Sequence, residues 1–223
     1  MVENGFRATK FMNLIGNKIS IKTLRQMWEL LTDNCCDNSD IAGTLFRTGN
    51  VVVGHRVGLP PSALEESMDY WCDYYNSSML DDYPFIKACL LHFAFVYIHP
   101  FCDGNGRSSR LLTNSYLISI GFDACRAIAF SRNIGSRAQA YYGALETSEN
   151  VQNDITPFIE FLLSCIDVTI FSICDSIAKT TLETYAKDHG QSFDDCIKTL
   201  SDSYSTDSYS LLVDYLRQDN LID

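Results

Sequence analysis

The sequence predicts an all-α fold, a helical bundle carrying one short β-hairpin, and three observations support that reading. Apolar residues recur at three- and four-residue spacing along most of the chain. Proline, glycine and acidic residues stand where those stretches begin and end. Around Val51 to Leu59 a β-branched run with turn residues at its centre replaces the helical spacing.

Taken in order, Ile21 to Leu31 reads as a helix with Leu24, Met27, Trp28 and Leu31 on one stripe. A polar connection follows, Thr32 to Ser39. Val51-Val52-Val53 reads as a strand, Gly54-His55-Arg56 as its turn and Val57-Gly58-Leu59 as the return. Pro60 then ends the pairing, because it has no N–H to donate. Pro61 to Leu64 opens a helix bearing Leu64, Met68, Trp71 and Cys72. A central helix follows with Ile86, Leu90, Leu91, Phe93 and Val96; Asp81 or Asp82 is the expected N-cap and Pro84 an early position. It must end near His99, since Pro100 disfavours helical geometry at the residue before it.

The next helix starts near Asn105, carries Leu111, Leu112, Leu117 and Ile120, and meets Gly121 where a left-handed C-cap belongs. Pro157 to Ile177 reads as a long apolar helix. Ser201 to Ser208 is a polar loop, and Leu211, Leu212, Tyr215 and Leu216 make a last amphipathic helix. Three segments result: an N-terminal helical segment at 1–40, a core at 41–177 and a helical extension at 178–223.

The stretch His99 to Arg110 concentrates the chemistry. Its backbone N–H groups, freed of side chains at Gly104 and Gly106, can approach phosphate oxygens around Asn105. The helix beginning there adds free amides and the positive end of its dipole. Arg107 and Arg110 are three apart, so they share one side of that helix. Asp103 offers hard oxygen ligands to a divalent cation. His99, at the end of the preceding helix, is the residue type that takes a proton near neutrality.

This stretch resembles the signature of the Fic family, His-x-Phe-x-(Asp/Glu)-Gly-Asn-Gly-Arg-x-x-Arg, at every specified position. A second resemblance, to the family's flap, lies in Phe46 to Arg56 with Pro60-Pro61 behind it. A third runs from Ser136-Arg137 through Tyr141-Tyr142 to Asp154–Ile159. Together they cover about residues 40 to 170, in the family's order.

The resemblance implies a Mg2+-dependent transfer of a nucleoside monophosphate, usually AMP from ATP, to a protein Ser, Thr or Tyr. His99 would be the general base and Asp103 the metal ligand. Gly104, Asn105 and Gly106 would form the anion hole, Arg107 and Arg110 would bind the β- and γ-phosphates, and Ser108 and Ser109 belong to the same nucleotide-binding stretch. Phe101 would anchor the loop from beneath. The flap, Val53, Gly54, His55 and Arg56, would hold a target segment by β-augmentation. Tyr141, Tyr142 and Asn150 resemble family positions near the nucleobase, although tyrosines at helical spacing also suit a core. Gly106 resembles the nucleotidyl-transferring branch, since the related Doc-type kinases carry lysine there. Many relatives also carry an inhibitory Ser/Thr-x-x-x-Glu-Gly/Asn helix. The sequence holds no such hexapeptide; Glu3-Asn4 matches only its end, which leaves a separate inhibitory partner open.

Two further histidines read differently. His92 lies on an apolar helix face and is expected to be a hydrogen-bonded core residue, and His189 a solvated helix end. The net charge of −11 argues against a nucleic-acid surface. The longest apolar run, Ala88 to Ile98, contains His92 and is too short for a bilayer, so it reads as a buried helix and no membrane contact is expected. Nine cysteines without zinc spacing suggest reduced thiols and a cytoplasmic location. The expected partner is a protein with an exposed hydroxyl; a homodimer stays open. Two alternatives also stay open, transfer of another nucleoside monophosphate or phosphate-linked group, and a non-catalytic ATP-binding regulatory module.

Overall fold

The computed structural model describes residues 2–15, 18–35, 44–122, 125, 130–150, 154–188, 190 and 192. Among them the fold is all-α with a single two-stranded antiparallel hairpin. In chain order the elements are α1 (Val2–Ile15), α2 (Ile21–Thr32), β1 (Val52–Val53), β2 (Arg56–Val57), a 3-10 turn at Pro61–Ala63, α3 (Leu64–Asn76), α4 (Pro84–Ile98), α5 (Asn105–Ser119), α6 (Phe130–Ser136), α7 (Ala138–Asn150) and α8 (Thr156–Asp188). The expected loop at 201–208, the helix around Leu211 to Leu216, His189 and residues 36–43 lie outside the described residues.

The chain divides into two compact units, residues 1–165 and 166–223, with the boundary inside α8. The expected divisions at 40 and 177 differ from this one, because α1 and α2 pack with α5 in the first unit. In the second unit the described residues are helix up to Asp188, with Val168, Phe171 and Ile177 exposed. The whole of α8 is long and apolar enough to cross a bilayer, by length and composition alone. Its first turns are committed elsewhere, with Phe158, Leu162 and Cys165 fully buried. The helix continues beyond Ile177, because no proline or glycine stops it before Gly190.

The stripe expected on α2 is buried as a set, Leu24, Met27, Trp28 and Leu31. Ser20 caps that helix reciprocally: the Thr23 amide donates to Ser20 Oγ at 3.3 Å, and the Ser20 amide donates to Thr23 Oγ1 at 2.8 Å. At the other end Asn4 of α1 donates to the carbonyls of Leu31 and Asp33, satisfying acceptors the helix leaves open. The aspartate cap expected on α4 is not made: Tyr83 holds the N-cap position without a side-chain bond. Asp81 instead pairs with Lys87 at 3.1 Å. Lys87 is 1% exposed and also donates to the Ser77 carbonyl, so its ammonium draws the carboxylate away from the helix end.

The helix α5 ends as its glycine predicts. Gly121 has φ +100°, its amide donates to Ile118 O at 3.1 Å, and the Phe122 amide donates to Leu117 O at 3.1 Å. That pair of bonds is a Schellman motif. The helices α4 and α5 pack most extensively of all pairs, and between them run the residues 99–104 that form the site.

Candidate active site

The segment from His99 to Gly104 is held in place chiefly by its own core side. Phe101 is fully buried and stacks on Trp28, ring centroids 4.8 Å apart. The Trp28 indole N–H donates to the Asp103 carbonyl at 2.7 Å. Asn105 clasps Phe101 from both sides: its Oδ1 accepts from the Phe101 amide at 3.0 Å and its Nδ2 donates to the Phe101 carbonyl at 2.6 Å. Its side chain is therefore a structural staple rather than a lining group, and any anion contact at this position falls to its backbone.

Gly104 turns the chain with φ +81° and becomes the N-cap of α5. A Cβ there would come within 2.8 Å of Thr32 Cγ2 and 3.2 Å of Trp28 Nε1. Gly104→Ala therefore combines backbone strain with a clash. We expect it to lower nucleotide affinity at least ~10-fold, since a shift costing about 1.4 kcal/mol is already tenfold. Titration with ATP checks this; unchanged affinity would contradict the geometry.

No side chain caps α5, and its first bond within the helix runs from the Ser108 amide to Gly104 O at 2.8 Å. The amides of Asn105, Gly106 and Arg107 thus have no intrahelical acceptor and form an anion-attracting end. Beside it lies a cavity of about 340 Å3, lined by His99, Gly106 and Arg110 from this segment. The hairpin contributes Val53, Gly54, His55 and Arg56, and α7 contributes Tyr141, Tyr142 and Asn150. Three sequence-distant groups named from the sequence therefore meet in one cavity.

Other residues named from the sequence do not line it. Ser108 and Ser109 are fully buried, and the Ser109 hydroxyl donates to Gly106 O at 3.0 Å. They face the interior of the bundle because they sit on the core side of α5, so the expectation that they contact nucleotide is corrected here. Arg107 is paired with Asp103, Nη2 to Oδ2 3.0 Å, and donates to Leu31 O at 3.4 Å. The two arginines thus split: Arg110 on the cavity, Arg107 on the carboxylate. At Gly106 a Cβ would lie 3.2 Å from Arg110 Nη1, so any larger residue there would displace that guanidinium.

His99 ends α4 as its C-cap, in the left-handed region with φ 54° and ψ 59°. Pro100 excludes helical geometry there, but the residue goes left-handed rather than extended. Its Nδ1 lies 3.3 Å from the Val96 carbonyl. A carbonyl can only accept, so Nδ1 carries the proton and Nε2 keeps its lone pair. Burial pushes the imidazole pKa below its ordinary value; the Val96 carbonyl opposes this, and the charges of Arg47 and Arg56 add to it. The ring is neutral at pH 7. Arg110 is also pushed down by burial, with Tyr141 and Tyr142 opposing, but a guanidinium stays charged.

His92 is the core residue its position suggested. Thr113 Oγ1 donates to Ser109 O at 2.7 Å, so it accepts from His92 Nδ1 at 3.0 Å. Nε2 is then an acceptor, and the Tyr141 hydroxyl donates to it at 3.1 Å. Burial lowers the His92 pKa to about 3, which keeps it neutral and fixes the Tyr141 ring against the cavity.

Sequence reasoning placed Glu149 only beside Asn150, beyond the tyrosine pair, and missed Glu146. Glu146 and Glu149 line the cavity from α7, one turn apart. Glu149 accepts from Arg56 Nε at 2.8 Å, both side chains mostly buried, and Glu146 lies 3.8 Å from His55 Nε2. Arg56 also donates to the Tyr97 carbonyl at 2.6 Å and lies 4.2 Å over the Tyr97 ring. The spacing Tyr142, Glu146, Glu149 marks one helical face and was available in the sequence.

Residues 18–117 match the model of the Fic/DOC family. The chain carries a Fic domain. The chain is 34% identical over 167 residues to a protein adenylyltransferase Fic of Drosophila yakuba, covering 73% of this chain and 32% of that protein. It is 32% identical over 165 residues to the protein of that name in Aedes aegypti, with the same coverage. The chain thus spans about a third of the length of these curated relatives. Among solved structures, a Fic family protein from Desulfovibrio desulfuricans G20 superposes with a TM-score of 0.67 and 25% identity, over 78% of this chain and 53% of that one. Fic-1 from C. elegans does so with a TM-score of 0.60 and 26% identity, over 78% and 52%. The Fic signature, flap and α7 tyrosines are the three groups that share the cavity.

Proposed function

We propose that this chain transfers AMP from ATP to a Ser, Thr or Tyr hydroxyl of a protein, with His99 as general base. The observation that carries the reading is the meeting of a neutral imidazole with Gly106 and Arg110 in one cavity. The target hydroxyl gives its proton to His99 Nε2 while its oxygen bonds to the α-phosphorus. The bond from that phosphorus to the bridging oxygen breaks, and pyrophosphate leaves. Arg110 and the α5 amides stabilise the charge on the leaving group. The adenylyltransferase names of the relatives support the choice of AMP.

Mg2+ fits the donors present. Among the described residues no three His, Cys, Asp or Glu side chains converge on a metal-sized gap. Mg2+ commonly needs only one or two carboxylates, taking its other ligands from phosphates and water. Asp103 offers one carboxylate, 57% exposed at its side chain, beside the α5 amides. Asp103 would hold the ion, which when bound neutralises phosphate charge. The Arg107 pairing would keep that carboxylate oriented beforehand.

The deciding assay incubates the chain with Mg2+, a lysate and each nucleoside triphosphate, labelled at the α-phosphorus in one set and at the γ-phosphorus in a parallel set. Label from the α-position of ATP on protein supports the reading. Label from another triphosphate transfers the mechanism to a different base, and label only from the γ-position would overturn it in favour of phosphotransfer. The pH profile offers a second check. His99 works as the neutral form, and burial favours that form. Activity should persist as pH falls below the ordinary imidazole value of 6.5, and drop only through the lowered pKa. An acid limb above pH 6.5 would contradict the assignment.

A further inference from the structure

Arg47 is 2% exposed and does not line the cavity, yet it bonds the backbone of His99 and of the segments flanking the hairpin. Its Nε donates to the His99 carbonyl at 2.8 Å, and its own amide donates to the Pro100 carbonyl at 3.0 Å. The His99–Pro100 segment is therefore gripped twice by one residue. The two remaining nitrogens reach the flap at both ends, Nη1 to Gly49 O at 2.7 Å and Nη2 to Leu59 O at 2.6 Å. These carbonyls precede β1 and follow β2.

Two features make this more than ordinary packing. Burying a cation on neutral acceptors costs stability, so a residue retained only for packing would serve better without charge. His99, in turn, occupies a left-handed conformation that a non-glycine residue keeps only when its surroundings over-determine it. The bonds from Arg47 to its carbonyl and to the next one supply that constraint. Gly58 makes room for the contact: a Cβ there would lie 3.3 Å from Arg47 Nη2 and 2.9 Å from Val51 Cγ2.

We propose that Arg47 is a positioning residue, which holds the His99–Pro100 peptide so that the imidazole faces the cavity and ties that aim to both ends of the flap. A target strand paired with the hairpin is thereby coupled to the base through one guanidinium. The inference rests on reading His99 as the base, but its geometry can be tested without turnover. The charged groups around His99 are Arg47 and Arg56 before α3, Arg110 on α5, and Glu146 and Glu149 on α7.

The chain has four histidines, so their ring carbon–proton correlations in NMR are few enough to assign. The variants are Arg47→Gln, Arg47→Lys and Gly58→Ala. In Arg47→Gln the His99 signal should move or split, while that of His92, held by Thr113 and Tyr141, stays fixed and reports an intact core. Lysine should return the signal part-way. With ATP as donor, kcat should fall roughly 10- to 100-fold, the scale of a misplacement of about 1 Å. KM for ATP should stay within about twofold, because ground-state binding is untouched. An unmoved His99 signal beside an unchanged His92 signal would overturn the proposal. If Arg47→Gln loses the His92 signal, Gly58→Ala decides by the same criterion, since it crowds the guanidinium without deleting it. Absence of AMP transfer by the parent chain would defeat the adenylyltransferase reading alone and leave the NMR result standing.

Discussion

Replacement of His99 by alanine is expected to lower the rate of AMP transfer by ~10²–10⁴-fold, the usual contribution of a positioned base, with ATP affinity unchanged. Nothing in the proposed phosphate-binding set depends on the imidazole: Gly106 and Arg110 reach the cavity from α5. Alanine, however, tolerates the left-handed backbone at position 99 no better than other non-glycine residues, so part of any loss could come from the loop moving. His99→Asn separates the two effects, because asparagine visits that region more readily and has no basic nitrogen. Both variants should lose transfer to the same extent. Substantial transfer by His99→Asn, measured with α-labelled ATP, would remove His99 from the mechanism.

The second large effect is on stability. Trp28→Ala should cost about 3–5 kcal/mol, the range for truncating a fully buried large side chain. Trp28 is 0% exposed and stacks on Phe101, which ties α2 to the segment before α5. Its indole N–H is also the donor to Asp103 O. Trp28→Phe keeps most of the ring and loses that bond, so it should cost only about 1 kcal/mol from the unmade hydrogen bond, plus the smaller volume. Urea melts followed by far-UV circular dichroism measure both. Equal costs for the two variants would show that the stack contributes nothing beyond the bond.

Much of the site was readable from the sequence because its parts are contiguous. Gly104 at the cap, the glycine at 106 and the arginine at 110 fall within one loop and one helical turn, where spacing and backbone preference decide geometry. The helices α2 and α3 were readable because each buries an apolar stripe, whereas α4 and α5, which also bury polar side chains, were readable from Pro84, Pro100 and Gly121 at their ends. The helix α1 was not picked out individually: it buries Asn4, Ala8 and Met12, two of which are small or polar, so its pattern resembles a polar segment. What the sequence could not carry were the long-range bonds. Trp28 to Asp103 spans 75 residues and Arg47 to His99 spans 52. Neither side chain's hydrogen-bonding partner is implied by its neighbours. Ser108 and Ser109 differ for the reverse reason: lying between two cavity-side positions, 106 and 110, they share the sequence stretch but their side chains are buried in the bundle.

The Trp28 bond gives the molecule an optical property. There are two tryptophans, and the other, Trp71, is 3% exposed and donates to the Leu91 carbonyl at 2.9 Å inside the α3–α4 packing. Indole emission responds to the dipole its N–H meets, so any rearrangement of the Asp103 peptide on ligand loading registers in Trp28, while Trp71 supplies a steady background. The protein thus carries a built-in fluorophore wired to the turn that opens α5, and filling of the proposed phosphate site there can be followed without a dye.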